Sequence, residues 1–121
     1  MPRYVRVRAE ILHKPSSFSL NTVKNVFINL GYRVLREGEN SLLFERGSKL
    51  ATYIGLTSWD LVYRTVELNM HSEEDKIILD ITFAFSWLVN IASLRKAVMP
   101  ELRKIEQSLK FDKMVFIKSS Q

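Results

Sequence analysis

The first segment of the chain alternates between apolar and polar residues. Over residues 2–12, one side carries Val5, Val7, Ala9 and Ile11, and the other carries Tyr4, Arg6, Arg8 and Glu10. Successive side chains of a β-strand point to opposite faces of the sheet. The pattern therefore predicts a strand with one buried face and one solvent-facing face.

A helical pattern follows the first strand. Apolar residues recur at helical spacing on one face, namely Val23, Val26, Phe27 and Leu30. Ser19 is a favourable N-cap, and Phe18 and Val23 have the spacing of a hydrophobic staple. Gly31 occupies the position where a left-handed residue ends a helix without a steric penalty. These signals predict a helix from Ser19 to Gly31.

Four further strands and a second helix are predicted after this helix. The strands are expected at residues 32–36, 41–46, 61–70 and 76–86, with turns at residues 37–40 and 71–75. An apolar stripe at helical spacing covers residues 88–109. Pro100 predicts either a kink there or two successive helices. Residues 111–121 alternate weakly, which predicts a short edge strand or an ordered arm.

Composition limits the class of protein. The chain has 121 residues, which suits one domain with an ordered core over residues 3–110. It has no cysteine, so disulfides, thiolate catalysis and thiolate metal sites are excluded. Residues 1–10 lack the apolar core of a secretory signal. Asp80 interrupts the longest apolar run, which argues against a membrane span. We expect a soluble, cytoplasmic protein.

The element order predicts an α+β fold: strand, helix, four strands and helix, with both helices on one face of a curved antiparallel sheet. Over residues 3–110 this order resembles one repeat of the TATA-box-binding-protein fold. It is also similar to the helix-grip domains, which hold apolar ligands beneath a long C-terminal helix. Four aromatic residues suit either a packed core or such a cavity: Phe44, Phe83, Phe85 and Trp87. Fold alone does not determine function.

Residues 47–60 form an unusually long and apolar connection between two predicted strands. The segment GSKLATYIGLTSWD contains Leu50, Tyr53, Ile54, Leu56 and Trp59. Connections of this length in small domains are typically functional or disordered, and this segment is too apolar for disorder. Either its apolar residues cover one end of the core, or they form a lip that contacts a partner, an apolar ligand or a membrane surface.

The formal net charge of +5 makes an anionic partner such as nucleic acid a second hypothesis. Phosphate contacts are expected from residues on the outer sheet face and after the third strand, namely Arg6, Arg8, Arg46, Lys49 and Arg64. Glu10, Glu67 and Asp80 are expected near the same face, so cross-strand ion pairs are the competing explanation.

Catalytic and metal-binding signatures are absent from the sequence. His13 and His71 are expected in loops and have no partner at helical or strand spacing. The carboxylates Glu73, Glu74 and Asp75 lack the spacing of a calcium loop and suit a solvated turn. We therefore expect no cofactor, no metal and no enzymatic activity. The favoured function is a binding module for a protein partner, which includes a second copy of the chain, or for an apolar ligand.

Overall fold

The computed structural model describes residues 3–12, 16, 18–49, 62–85 and 94–119. Within them the chain forms six strands and two helices. In chain order these are β1 (Arg3–Ile11), α1 (Leu20–Asn29), β2 (Arg33–Glu37), β3 (Ser41–Arg46), β4 (Arg64–Glu73), β5 (Lys76–Phe85), α2 (Leu94–Leu109) and β6 (Lys113–Ser119).

The six strands form one open sheet in the order β2-β3-β4-β5-β1-β6. Each neighbouring pair is antiparallel, so the fold is α+β. The register is regular at the centre, where Val66 and Val5 lie on either side of Phe83. β2 and β6 are the two edges, and each contains a register shift against its neighbour.

The core lies between one face of the sheet and the two helices. Alternate residues of β1 and β5 are buried, as their sequence pattern predicts. From α1, Phe27 stacks on Phe44 of β3, with ring centroids 4.7 Å apart and an interplanar angle of 10°. From α2, four residues of the predicted stripe are buried: Val98, Leu102, Ile105 and Leu109. Both helices therefore cover the same inner face.

The ends of α1 confirm the sequence prediction. Ser19 is the N-cap, and its backbone N–H donates to the Thr22 hydroxyl at 3.3 Å. At the other end, Gly31 has a φ of 99°. Gly31 N–H donates to the Ile28 carbonyl at 2.9 Å, and Tyr32 N–H donates to the Phe27 carbonyl at 3.1 Å. These two bonds form a Schellman motif, which turns the chain from α1 into β2.

The β4–β5 hairpin is longer than the sequence predicts. β4 continues to Glu73, and the turn is confined to Glu74 and Asp75, with Glu74 at a φ of 48°. The prediction of a turn across residues 71–75 is therefore wrong. His71 and Ser72 pair with Ile78 and Ile77 of β5, because polar residues are readily accommodated in strands that face solvent.

The structure decides between the alternatives predicted for Pro100 and for residues 111–121. α2 is one continuous helix through Pro100, so the two-helix alternative is wrong. Residues 113–119 pair with β1, so the edge-strand alternative is confirmed. Neither helix described by the structure is long and apolar enough to cross a membrane.

Candidate functional site

Arg64 is a fully buried arginine at the start of β4. It shares a face with Val66 and Leu68, because alternate residues of a strand point the same way, and its side chain is 0% exposed. The guanidinium donates to Glu101 Oε1, to the Tyr32 hydroxyl at 3.1 Å and to the Val62 carbonyl at 2.8 Å. A buried charge costs several kcal/mol unless it is paired and hydrogen-bonded, so these acceptors are essential.

Glu101 supplies the carboxylate from α2. It lies three residues after Val98 and four before Ile105, so helical periodicity places it on the buried face. Its side chain is nearly inaccessible. Oε1 accepts from Arg64 and from Arg46 Nη1 at 3.3 Å, and Oε2 accepts from the Tyr32 hydroxyl at 2.5 Å. Glu101 therefore connects α2 to three parts of the sheet: the residue before β2, the end of β3 and the start of β4.

Tyr32 is the neutral member of this network. Burial, followed by the nearby Glu101 carboxylate, raises the pKa of the Tyr32 phenol well above its usual range. The phenol therefore stays protonated and can donate to Glu101 while it accepts from Arg64. Its ring lies 5.6 Å from the Phe27 ring in an edge-on contact. We call Arg64, Glu101, Tyr32 and Arg46 the buried network.

The buried network lies beside the two ends of residues 50–61. Ser48 and Val62 form a parallel bridge, so the chain before and after this segment meets at one point. A Cβ on Gly47 would lie 2.2 Å from the Val62 carbonyl oxygen, and Gly47 has a φ of 94°. Only glycine permits this approach without a shift of backbone. Arg64 holds the same Val62 carbonyl from inside the core.

A second cluster holds these ends from the solvent side. Glu45 accepts from the Tyr63 hydroxyl at 2.9 Å and from Arg33 Nε at 3.4 Å. The hydrogen bond from Tyr63 is the main reason that the pKa of Glu45 is lowered. Arg33 also donates to the Gly47 carbonyl at 3.0 Å. The Lys49 ammonium lies 5.1 Å from the centroid of the Tyr63 ring. Side chains on both faces of the sheet therefore hold the junction between Ser48 and Val62 in place.

No known family model matches this sequence, and no curated protein is significantly similar to it. The function has to be argued from the geometry of the chain itself.

The residues predicted to form the partner-binding lip lie outside the described residues. They are Leu50, Tyr53, Ile54, Leu56 and Trp59. Of the segment 47–60, the structure describes Gly47, Ser48 and Lys49, and Lys49 is exposed. The junction that carries the segment is therefore defined at both ends, while the lip stays a prediction.

Two of the arginines expected to contact phosphate do not lie on the outer face. Arg64 is buried on the inner face, so its assignment to an exposed anion site is wrong. Arg46 is on the same inner face and is bonded to Glu101. Strand alternation is the physical reason, because both share a face with Phe44 and Val66. Arg6 and Arg8 are on the outer face, where Arg6 donates to Thr82 at 3.2 Å and Arg8 pairs with Asp80 at 2.9 Å.

Convergent ligands for a metal ion do not occur among the described residues. His71 is exposed and its Nε2 lies 4.0 Å from an Asp80 oxygen, while His13 lies outside the described residues. Glu73 ends β4 beside Lys76 at 4.0 Å, and Glu74 and Asp75 form the hairpin turn.

Sequence reasoning missed Glu101 and Tyr32 and misplaced Arg64. The signal for Arg64 was that an even number of positions separates it from Val62, Val66 and Leu68, as strand alternation requires for residues on one face. The signal for Glu101 was its position within the apolar stripe of α2. Nothing in the spacing links these residues to one another, because 37 residues separate Arg64 from Glu101.

Glu101→Ala should lower the free energy of unfolding by about 3–5 kcal/mol, because Arg64 is left buried without a carboxylate. Urea unfolding followed by circular dichroism measures this loss. Glu106→Ala, on the more accessible side of α2, is the control and should change the value by about 0.5 kcal/mol or less. The double variant Arg64→Met/Glu101→Leu should be more stable than Glu101→Ala. A loss below about 1 kcal/mol for Glu101→Ala would contradict the assigned importance of the pair.

Gly47→Ala should destabilise the protein more than Gly31→Ala, although both glycines have positive φ. The Gly31 substitution adds the strain of a left-handed alanine, about 1–2 kcal/mol, and its nearest neighbour is the Arg46 side chain at 3.3 Å, which can shift more easily than backbone. The Gly47 substitution adds a collision with the Val62 and Tyr63 backbone. Urea unfolding of the two variants tests this order, and equal losses would contradict it.

The free energy of unfolding should fall as the pH rises above about 10, the usual pKa of tyrosine in an unfolded chain. The pKa of Tyr32 is raised in the folded state, so the unfolded chain loses this proton first and gains stability relative to the fold. Tyr32→Phe should weaken this alkaline dependence. Urea midpoints between pH 8 and pH 11 measure the slopes, and parallel curves for the two proteins would rule out the assignment.

Proposed function

We propose that this protein is a non-enzymatic binding module that engages a protein partner through residues 47–60. A second copy of the chain is the first partner to test, and an apolar small molecule is the competing ligand. The observation that carries the proposal is the junction at Ser48 and Val62. It makes the intervening segment a closed excursion from the end of the sheet where β3 ends and β4 begins.

Segments of this length with ends that meet are frequently functional. The ten residues 50–59 of this excursion contain five large apolar residues: Leu50, Tyr53, Ile54, Leu56 and Trp59. Aromatic residues such as Tyr53 and Trp59 are enriched where protein partners make their strongest contacts. The segment therefore has the composition of a contact surface.

A rigid base favours binding because less conformational entropy is lost when the partner docks. The base here is the buried network together with the Glu45 cluster. Arg64 and Arg33 donate to the carbonyls of Val62 and Gly47 on the two sides of the junction. The network also lacks the properties of a general base, because Tyr32 stays protonated and Glu101 is occupied by three donors.

Nucleic-acid binding through the outer face of the sheet has less support. Three of its cations are paired with carboxylates: Arg8 with Asp80 at 2.9 Å, Lys76 with Glu10 at 3.1 Å and Arg33 with Glu45 at 3.4 Å. Cross-strand ion pairs of this kind explain a mixed face without a ligand. The resemblance to the TATA-box-binding-protein repeat and to helix-grip domains stays a prediction. The absence of cysteine suits a reducing compartment, so the cytoplasm is the proposed location.

The triple variant Tyr53→Ser/Ile54→Ser/Trp59→Ser should lose association while it keeps the fold. Multi-angle light scattering over a range of protein concentrations measures self-association, and titration with a fluorescent apolar probe measures ligand binding. The wild type should self-associate or bind the probe, and the variant should do neither. Circular dichroism should show that the six strands and two helices are kept, because the core residues that hold them together are unchanged.

A matched control removes exposed apolar side chains elsewhere. Ile28→Ser/Leu35→Ser changes α1 and β2, where these side chains are 44% and 49% exposed. This variant should associate like the wild type. A wild type that remains monomeric at all concentrations and binds no apolar probe would refute the proposal.

A further inference from the structure

β6 is an edge strand whose outer side is open within the described residues. It pairs only with β1 there, and it is the last strand in the sheet order. From Lys113 to Phe116 the ladder with β1 is regular, and the register shifts after Phe116. A regular edge presents a row of backbone N–H and C=O groups that can pair with another extended chain.

The excess positive charge of the described residues is carried by the segment that contains β6. Residues 94–119 contain seven Lys and Arg and, apart from the buried Glu101, only two carboxylates, Glu106 and Asp112. The other described residues, counted with Glu101, hold ten cations and ten carboxylates. The surplus of five positive charges in the described residues therefore lies on α2, β6 and the turn that joins them.

The carboxylates nearest to the β6 cations already have other partners. Lys113 lies opposite Glu10, but Glu10 bonds Lys76 at 3.1 Å. Asp112 accepts from the Leu12 backbone N–H at 2.7 Å. Lys118 lies opposite another cation, Arg6. Like charges directly opposite each other on a sheet destabilise it, so an anion beside this edge is favoured.

Four apolar residues separate the two lysines of β6. Val115 and Ile117 are 53% and 45% exposed, and Met114 and Phe116 are packed on the margin of the core. The Arg95 guanidinium lies 5.1 Å from the centroid of the Phe116 ring, which brings a third cation to this margin. The strand therefore presents an apolar run with positive charge at both ends.

We infer that β6 binds an acidic peptide that adds to the sheet as a seventh strand. The peptide would carry a run of about four apolar, β-forming residues between carboxylates that face Lys113 and Lys118. These lysines are five residues apart, roughly 16 Å along a strand. A second copy of the chain is excluded by charge, because two β6 strands would bring four lysines together. Nucleic acid lacks the alternating N–H and C=O groups of an extended chain that would complete the ladder, and its charged backbone is a poor partner for the apolar Val115 and Ile117.

This surface lies far from β3, the strand that leads into residues 47–60. β6 is four strands from β3 in the sheet, roughly 19 Å away at the usual strand spacing. The result of a binding test on β6 is therefore independent of the function proposed for residues 47–60. Lysines at an edge and a register shift also protect a strand from pairing with its own copies, which leaves an acidic strand as the partner that fits.

The test uses the full chain and a fluorescein-labelled peptide with four valines between two pairs of glutamates. Fluorescence anisotropy should show saturable binding that weakens as salt is raised from 50 to 300 mM, because the charges are exposed. The same peptide N-methylated at alternate valines keeps its side chains but cannot complete the ladder, and it should not bind. The peptide with lysines in place of glutamates should not bind either.

Two pairs of variants locate the site. Lys118→Glu should weaken binding by about fivefold, because it replaces one favourable exposed charge pair with a repulsive one, and Arg36→Glu on the opposite edge should stay within about twofold. Val115→Ser should weaken binding, whereas Leu35→Ser, also at the opposite edge, should not. Lys118→Glu places a carboxylate opposite Arg6, so loss of binding will not reflect unfolding, and circular dichroism checks this.

Three outcomes would overturn the inference. The first is no binding of the glutamate peptide at 50 mM salt. The second is equal binding of the N-methylated peptide, since this would exclude strand addition. The third is that a 20-base-pair DNA duplex or phosphatidylserine vesicles bind more tightly than the glutamate peptide and that Lys118→Glu reduces this binding. The edge would then bind a polyanion.

Discussion

The pairing of Arg64 with Glu101 is the interaction on which the rest of the structure depends. A guanidinium with no exposed surface has to find all its acceptors within the protein. Its acceptors come from α2, from the chain between α1 and β2, and from the chain that enters β4. Hydrogen bonds have narrow limits of distance and angle. The pair therefore fixes the relative positions of these elements more strictly than apolar packing would, since apolar contacts tolerate sliding.

The same pair explains why the chain can carry an apolar excursion at residues 50–61. The Val62 carbonyl accepts from Arg64 on the core side, and the Gly47 carbonyl accepts from Arg33 on the solvent side. Gly47 allows the two backbones to approach more closely than any residue with a Cβ could. Groups on both faces of the sheet therefore hold the two ends of this segment. This firm attachment supports the proposal that its apolar residues form a contact surface.

The predictable parts of the fold were those with a strict period or a clear end signal. β1 and α1 were correctly located because alternation, the Ser19 cap and Gly31 agree with one another. The β4–β5 turn was misplaced because polar residues were read as a turn when they belonged to a solvent-facing strand. The buried network was missed because arginine and glutamate are rarely buried. The positions of Arg64 and Glu101 within their apolar patterns indicated burial, but their partners come from distant parts of the chain.

The positions of the cations say more about a binding partner than the net charge of the chain does. Composition suggested a basic sheet that could bind phosphate. Arg64 and Arg46 are instead committed to Glu101, and Arg8, Arg33 and Lys76 are balanced by neighbouring carboxylates. Lys113 and Lys118 lie on a strand that is the last of the sheet within the described residues and that carries the exposed apolar residues Val115 and Ile117. Charge beside exposed apolar residues and a strand edge favours the proposed acidic peptide, because an extended peptide can pair with the edge and cover the apolar residues as well as the cations. The location of the charge therefore supports this proposal more strongly than the net charge does.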